Sequence, residues 1–152
     1  MKKQKFKPLL KYHRIFVLAI IFTAIIIKYA TTESDNKYEN GQIKQEGRRE
    51  NGFNVGRWIW YYPNGKKQLE GYFTDGKRSG KWITSNEFGV VVNERNYERD
   101  KLNGYYCNYY NSGIKSEEGY FFNDVINGVV KKYDLNGKLS SEEKYKQGQK
   151  IK

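Results

Sequence analysis

The 152-residue chain has one cysteine, Cys107, and one histidine, His13. A single thiol excludes an intramolecular disulfide and any zinc site built on cysteines. His13 lies in a basic leader, so the body holds neither a histidine-ligated metal centre nor a Ser–His–Asp triad. Alanine is absent after Ala30, and no segment after residue 33 shows helical periodicity. Acidic residues are missing from residues 1–30, which hold seven Lys or Arg. The net charge of +11 is therefore mostly a property of the leader, because residues 31–152 carry 21 basic and 17 acidic side chains. An isoelectric point near 9.6 then gives no argument for nucleic acid as a partner. A mean hydropathy of −0.91 would suit a disordered chain, but an aromatic content of 16% does not.

Long apolar runs are missing as well. The main apolar stretch, residues 15–27, has 13 uncharged residues between Arg14 and Lys28. As a helix it spans about 20 Å, short of a hydrocarbon core of about 30 Å. Three readings are open. If Lys28 snorkels, the span reaches Thr32 and about 27 Å, and residues 1–32 form an uncleaved signal anchor, which is the preferred reading. A cleaved signal peptide comes second, because Ala30-Thr31-Thr32 is a poor cleavage site. A buried core helix comes third. Six basic residues precede the stretch, while Glu33 and Asp35 follow it. The positive-inside rule then places residues 33–152 outside the cytoplasm, either membrane-anchored or, after cleavage, secreted or periplasmic.

What is abundant is glycine, and it is periodic. All 15 glycines fall into four columns of a 24-residue frame. The columns are Gly41, Gly65, Gly89, Gly113, Gly137; Gly56, Gly80, Gly104, Gly128; Gly52, Gly76, Gly148, with Asp100 and Asp124 in the gaps; and Gly47, Gly71, Gly119. Glu46, Glu70, Glu94, Glu118 and Glu142 keep the same beat, as do Trp58, Trp82, Tyr106 and Val130, and Phe73, Tyr97, Phe121 and Tyr145. A fixed period of this size signals a repeat architecture of four units behind a half unit.

Each unit reads as a β-hairpin. Residues 57–62, Arg-Trp-Ile-Trp-Tyr-Tyr, are strand formers. Asn64-Gly65 then suits a two-residue type I′ turn, and a second strand runs from about Lys67 to Phe73. Residues 74–80 read as a loop to the next unit, with the Gly/Asp column in the left-handed region. A two-residue turn sets Tyr62 opposite Lys67, Trp60 opposite Leu69 and Trp58 opposite Gly71, the Trp58 ring lying over the glycine as Tyr106 lies over Gly119. The expected fold is all-β. It is an elongated, single-layer antiparallel sheet of hairpins over residues 33–152, preceded by one apolar helix. One face collects Trp58, Trp82, Tyr106, Val130 and the Phe73 column. The other collects Tyr61, Tyr72, Tyr109, Tyr120, Tyr133 and the glutamates. Unit four is more polar, at Lys132 and Asp134, as suits a terminal cap.

The run from Gly56 to Gly65, continued by Glu70-Gly71-Tyr72 and by residues 75–80, resembles a MORN-type repeat. It is most similar to the bacterial variant found in proteins labelled YwqK-type antitoxins, and the resemblance covers about residues 38–148. Unit two departs from it, with Thr84-Ser85-Asn86 in place of aromatics and Phe88-Gly89 at the turn. The resemblance implies a single-layer sheet of hairpins. It also implies a binding role towards proteins or membrane surfaces, with toxin neutralisation in some members.

The in-phase glutamates, spaced about 9.6 Å apart, invite comparison with a glycosidase carboxylate pair. Catalysis needs two unlike environments, however, and five equivalent copies point to ion pairing across strands. We therefore expect no enzyme, no cofactor and no metal site. Trp58, Trp82 and Tyr106 read as sheet packing, and Cys107 as a small buried hydrophobe. Four lysines of the tail (Lys144, Lys146, Lys150, Lys152) read as solvated. Tyr61, Tyr72, Tyr109 and Tyr120 are the candidate partner-binding residues, since tyrosine is enriched at interfaces. The expected function is a membrane-anchored or exported scaffold that binds a protein partner, with an antitoxin or immunity role as one version of it. The alternative is an envelope- or lipid-surface structural protein.

Overall fold

The computed structural model describes residues 17–26 and 36–151. Residues 17–26 form a helix, α1. No helix among the described residues is long and apolar enough to cross a membrane. The charges that bracket the apolar stretch, Arg14 and Lys28, and the Ala30-Thr31-Thr32 segment lie outside the described residues.

Residues 45–151 build a single antiparallel sheet. Its strands are β1 (Gln45–Glu50), β2 (Phe53–Tyr61), β3 (Lys67–Thr74), β4 (Lys77–Ser85), β5 (Val91–Glu98), β6 (Lys101–Leu102), β7 (Gly104–Tyr109), β8 (Lys115–Phe122), β9 (Val125–Ile126), β10 (Gly128–Tyr133), β11 (Leu139–Lys146) and β12 (Gln149–Ile151). The order is β1-β2-β3-β4-β5-β7-β8-β10-β11-β12, with β6 on β5 and β9 on β8. Neighbours in the sheet are neighbours in the chain, as a stack of hairpins requires. The half unit in front contributes a bridge between Lys37 and Ile43.

The two kinds of turn are exchanged relative to the sequence expectation. At Asn64-Gly65 the Gly65 amide donates to the Tyr62 carbonyl and the Tyr62 amide to the Lys66 carbonyl. Only Gly65 has positive φ (81°). The connection is thus a three-residue loop, a type I turn followed by a left-handed glycine, and not a type I′ turn. The same bonds recur at Tyr38–Gln42, Asn86–Val90, Tyr110–Ile114 and Asp134–Lys138. The type I′ turns lie at the other end of the strands, inside the segments expected to be loops. Asp75 (φ 51°) and Gly76 (φ 75°) join Thr74 to its partner Lys77, and β4 starts at once. Asn51-Gly52, Arg99-Asp100, Asn123-Asp124 and Gln147-Gly148 have the same paired positive φ. The Gly/Asp column is left-handed throughout, as its composition implies.

The longer loop moves Lys67 opposite Tyr61 rather than Tyr62, and a bulge between Trp60 and Tyr61 then restores the expected pairs Trp60–Leu69 and Trp58–Gly71. The ring over Gly71 is nevertheless not Trp58. A Cβ at Gly71 would meet the Trp82 indole at 2.2 Å, and one at Gly47 would meet the Trp58 indole at 2.2 Å. Each tryptophan lies over the glycine of the strand before it in the hairpin stack. At Gly119 the neighbour on the following strand is the small Val130 (3.1 Å), and Tyr106 also reaches over it (2.9 Å), as expected.

The stack is stitched along both long edges. On one, Tyr38, Tyr62 and Tyr110 donate their hydroxyls to the carbonyls of Tyr61, Ser85 and Tyr133 of the next unit (2.7–2.9 Å). Asn86 and Asp134 replace this tyrosine and cap their own loops instead, each Oδ1 accepting two backbone N–H groups. On the other edge, the amides of Gly76, Asp100, Asp124 and Gly148 donate to carbonyls of the preceding unit. The Asp100 and Asp124 carboxylates accept from the Arg78 and Leu102 amides at 2.9 and 2.7 Å.

Candidate functional site

The two faces of the sheet differ in how far they satisfy themselves. One face is centred on a cross-strand row, Glu46–Ile59–Glu70–Ile83–Glu94–Cys107–Glu118–Lys131–Glu142. Ile59 and Cys107 are buried within it. Tyrosines and cations flank the carboxylates. Glu70 takes Arg57 at 2.6 Å and Lys67 at 2.8 Å; Glu94 takes Lys81 at 3.0 Å. Glu118 accepts from Lys115 and Tyr105, both at 2.7 Å, and from Tyr133. Burial alone would raise the pKa of Glu118, but the bonds from Lys115, Tyr133 and Tyr105 outweigh it and hold it down at about 2. Glu70 is also lowered, burial being outweighed by its bonds from Lys67 and Arg57. Carboxylates held this firmly ionised are poor proton donors. Glu70 has the expected ion pair across strands, with Arg57, whereas Lys67 and Lys115 pair within the strands of Glu70 and Glu118. The cross-strand partners of Glu118 are Tyr105 and Tyr133.

All four candidate tyrosines lie on this face, in two environments. Tyr61 and Tyr109 are half-buried, and their hydroxyls donate to Glu46 (2.5 Å) and Glu94 (3.4 Å). Burial, reinforced by the Glu46 carboxylate, pushes the Tyr61 phenol up to about 12. Burial and the neighbouring Cys107 and Glu94 raise Tyr109 too. Tyr72 and Tyr120 are 50% and 54% exposed, and the Tyr120 ring meets Tyr105 edge-on with centroids 5.6 Å apart. Two of the four are thus tied into the carboxylate row, and two present open ring surface.

The opposite face carries the tryptophans. Trp58, Trp82, Tyr106 and Val130 are 2–5% exposed, the packing role expected of them. With no second sheet over them, the rings cover one another. Trp60 lies between Trp58 and Trp82 with centroids 5.7 and 5.8 Å away, and Phe73 stands edge-on to Trp82 at 5.1 Å. Beside them runs a shallow groove of about 380 Å³ with Trp60, Leu69, Phe73 and Tyr97 along it. Trp60, Leu69 and Tyr97 are only half-buried.

Arginine shapes this face. Position 95 belongs to the column of Gly47, Gly71 and Gly119, yet holds Arg95. Its guanidinium lies 5.3 Å from the Tyr106 ring centre and donates to Asn108 Oδ1 (2.7 Å) and the carbonyls of Glu94 (2.9 Å) and Cys107 (3.3 Å). Arg78 lies 4.1 Å from the Tyr97 ring centre, and Arg49 lies 5.3 Å from that of Trp58. Reading glycine columns for their glycines alone misses Arg95. The signal that finds it is a charged residue that interrupts the glycines between Gly71 and Gly119, Glu143 being the other charged residue of the column, at its end.

Among the described residues, no group of three or more His, Cys, Asp or Glu is placed to hold a metal ion. Residues 54–75 and 126–147 each match the MORN repeat variant. The two matched stretches are three periods apart, and each spans one hairpin, β2–β3 or β10–β11. No curated protein matches the chain.

Proposed function

We propose that the chain is an anchored or exported repeat scaffold that binds a protein partner through its sheet. The observation that carries this is the asymmetry of the faces. The tyrosine face closes its carboxylates with its own tyrosines, lysines and Arg57, whereas the tryptophan face leaves half-exposed rings beside a groove. Aromatic side chains concentrated beside arginine are the composition of interface hot spots. The antitoxin or immunity version draws support from the resemblance to the variant repeat, which a scaffold shares with many partners. Tyr72 and Tyr120 are the tyrosines left open to a partner on the other face. The outward orientation of residues 33–152 rests on the charge asymmetry of the leader.

The test is made in intact cells with the full chain carrying a photoreactive residue in place of Leu69, Tyr120 or, as a control, Glu87. A discrete adduct with a second protein from Leu69 or Tyr120, absent from Glu87, is expected. No adduct from either face sinks the scaffold reading. Protease added to intact cells or spheroplasts is expected to digest residues 33–152, and full protection until lysis removes the outward orientation.

A further inference from the structure

The geometry points to an occupant for the tryptophan-face groove: an acidic, extended peptide segment of the partner, with an apolar side chain seated against Trp60. The inference rests on the scaffold reading and gives it a partner chemistry.

Three features converge on it. The groove offers ring and aliphatic surface from Trp60, Leu69 and Tyr97, enough to seat an apolar side chain. No carboxylate is among the described residues that line it, whereas Arg78 and Arg95 are. Finally, the charges are handled differently on the two faces. On the tyrosine face Arg57, Lys67, Lys81 and Lys115 each meet a glutamate within 3.0 Å. On the groove face the arginines rest on rings. Arg95 has no carboxylate partner among the described residues, since its donors go to two carbonyls and an amide oxygen. Arg78 keeps Asp100 at 3.1 Å, at the turn end of the groove. A guanidinium stacked on a ring retains its charge and its planar donors. Arg95, with no carboxylate to offset it, sets a positive potential over the apolar trough, while the charge of Arg78 is largely offset by Asp100. A basic or neutral segment gains nothing from that potential, and an acidic one does.

The test uses the purified full chain and three short labelled peptides: Glu alternating with Leu, the same peptide with Gln for Glu, and the same with Lys for Glu. The acidic peptide is expected to bind about tenfold tighter than the Gln peptide, with the Lys peptide weaker still, and the difference is expected to shrink with added salt. Trp60→Ala is expected to weaken the acidic peptide about thirtyfold. Trp60 also packs, so Asn93→Asp is the second variant. Asn93 lines the groove, and the change adds one negative charge at constant shape. It is expected to weaken the acidic peptide severalfold and the Gln peptide hardly at all, with an unchanged melting temperature. Equal binding of the Lys peptide, no binding of any peptide, or acidic-peptide binding indifferent to Asn93→Asp overturns the proposal. So does finding that the groove is filled by a second copy, seen as a concentration-dependent dimer lost with Trp60→Ala. Binding of anionic vesicles that Trp60→Ala leaves unchanged, without peptide binding, also overturns it. A cellular adduct from Tyr120 with none from Leu69 removes the groove while leaving the scaffold, so the two failures are distinguishable.

Discussion

A side chain at Gly71 has nowhere to go, because its Cβ would fall 2.2 Å from atoms in the middle of the buried Trp82 indole. The ring is held by Trp60, Phe73 and Tyr97, so it cannot give way without disturbing the cluster. Gly71→Ala is expected to destabilise the fold by about 2–3 kcal/mol in urea denaturation. Gly119→Ala meets Tyr106 at 2.9 Å and Val130 at 3.1 Å, and is expected to cost about 1 kcal/mol. The reverse ranking would mean that the tryptophan, and not the glycine backbone, accommodates the change. Glu118 supplies a pH dependence. Its pKa in the fold, about 2, lies below the ordinary glutamate value of 4.5. Its stabilisation is therefore complete above about 4.5 and is lost as the pH falls through the folded value. Glu118→Gln is expected to lower stability by about 1–3 kcal/mol at neutral pH, with the gap to the parent closing between pH 4.5 and 2. A gap that stays constant over that range would show that the charge of Glu118 is not what its three donors recognise.

At the scale of the turn, the type I′ connections combine backbone conformation with a side-chain bond across the unit boundary. Asp100 has φ 72° and accepts from the Arg78 amide, and this bond, outweighing a small burial effect, lowers its pKa. Asp100→Gly keeps the left-handed conformation and loses the bond; Asp100→Ala loses both advantages. Stability is expected to fall in the order Asp100, Gly, Ala, with the last about 1–2 kcal/mol below the second. Equal losses would mean that the bond alone matters. The sequence displays this column clearly, because only Gly and Asp occupy it, whereas the preceding turn position, also at positive φ, holds Asn, Asp, Arg and Gln. The dipeptide Asn64-Gly65 is less informative. A type I′ turn and a type I turn followed by a left-handed glycine both favour it, and the tyrosine–carbonyl closure at Tyr62 decides between them. The bulge after Trp60 hides the difference by bringing the strands back into the expected register.

Over the whole molecule, period and alternation are enough to give the single sheet, its two faces and the left-handed Gly/Asp column, because each is repeated from unit to unit. What repetition cannot show is which of two flanking strands a ring leans towards, so Trp58 looked like the cover of Gly71 when it covers Gly47. Nor does a column announce which hydroxyls it will spend. Tyr61 and Tyr72 look alike in sequence, yet one is bound to Glu46 and the other stands open. The groove was legible least of all, since it depends on a departure from the period at Arg95 and not on the period itself. The same region breaks the edge stitching, because Asn86 caps its own loop where Tyr62 and Tyr110 reach the next unit.

The strictly sequential strand order also determines how the molecule answers a pull. Tension between its two ends acts across the strands, along the direction of the ladder hydrogen bonds, and loads one strand pair at a time. The sheet then opens like a zipper, not like a bolt under shear. Extension of the full chain in an optical trap is expected to proceed at low force in successive steps, each unit releasing about 8 nm of contour. A single rupture at high force would contradict this. A partner lying across several strands would clamp the zipper at its point of contact, so a tethered chain would lengthen freely until bound and resist afterwards.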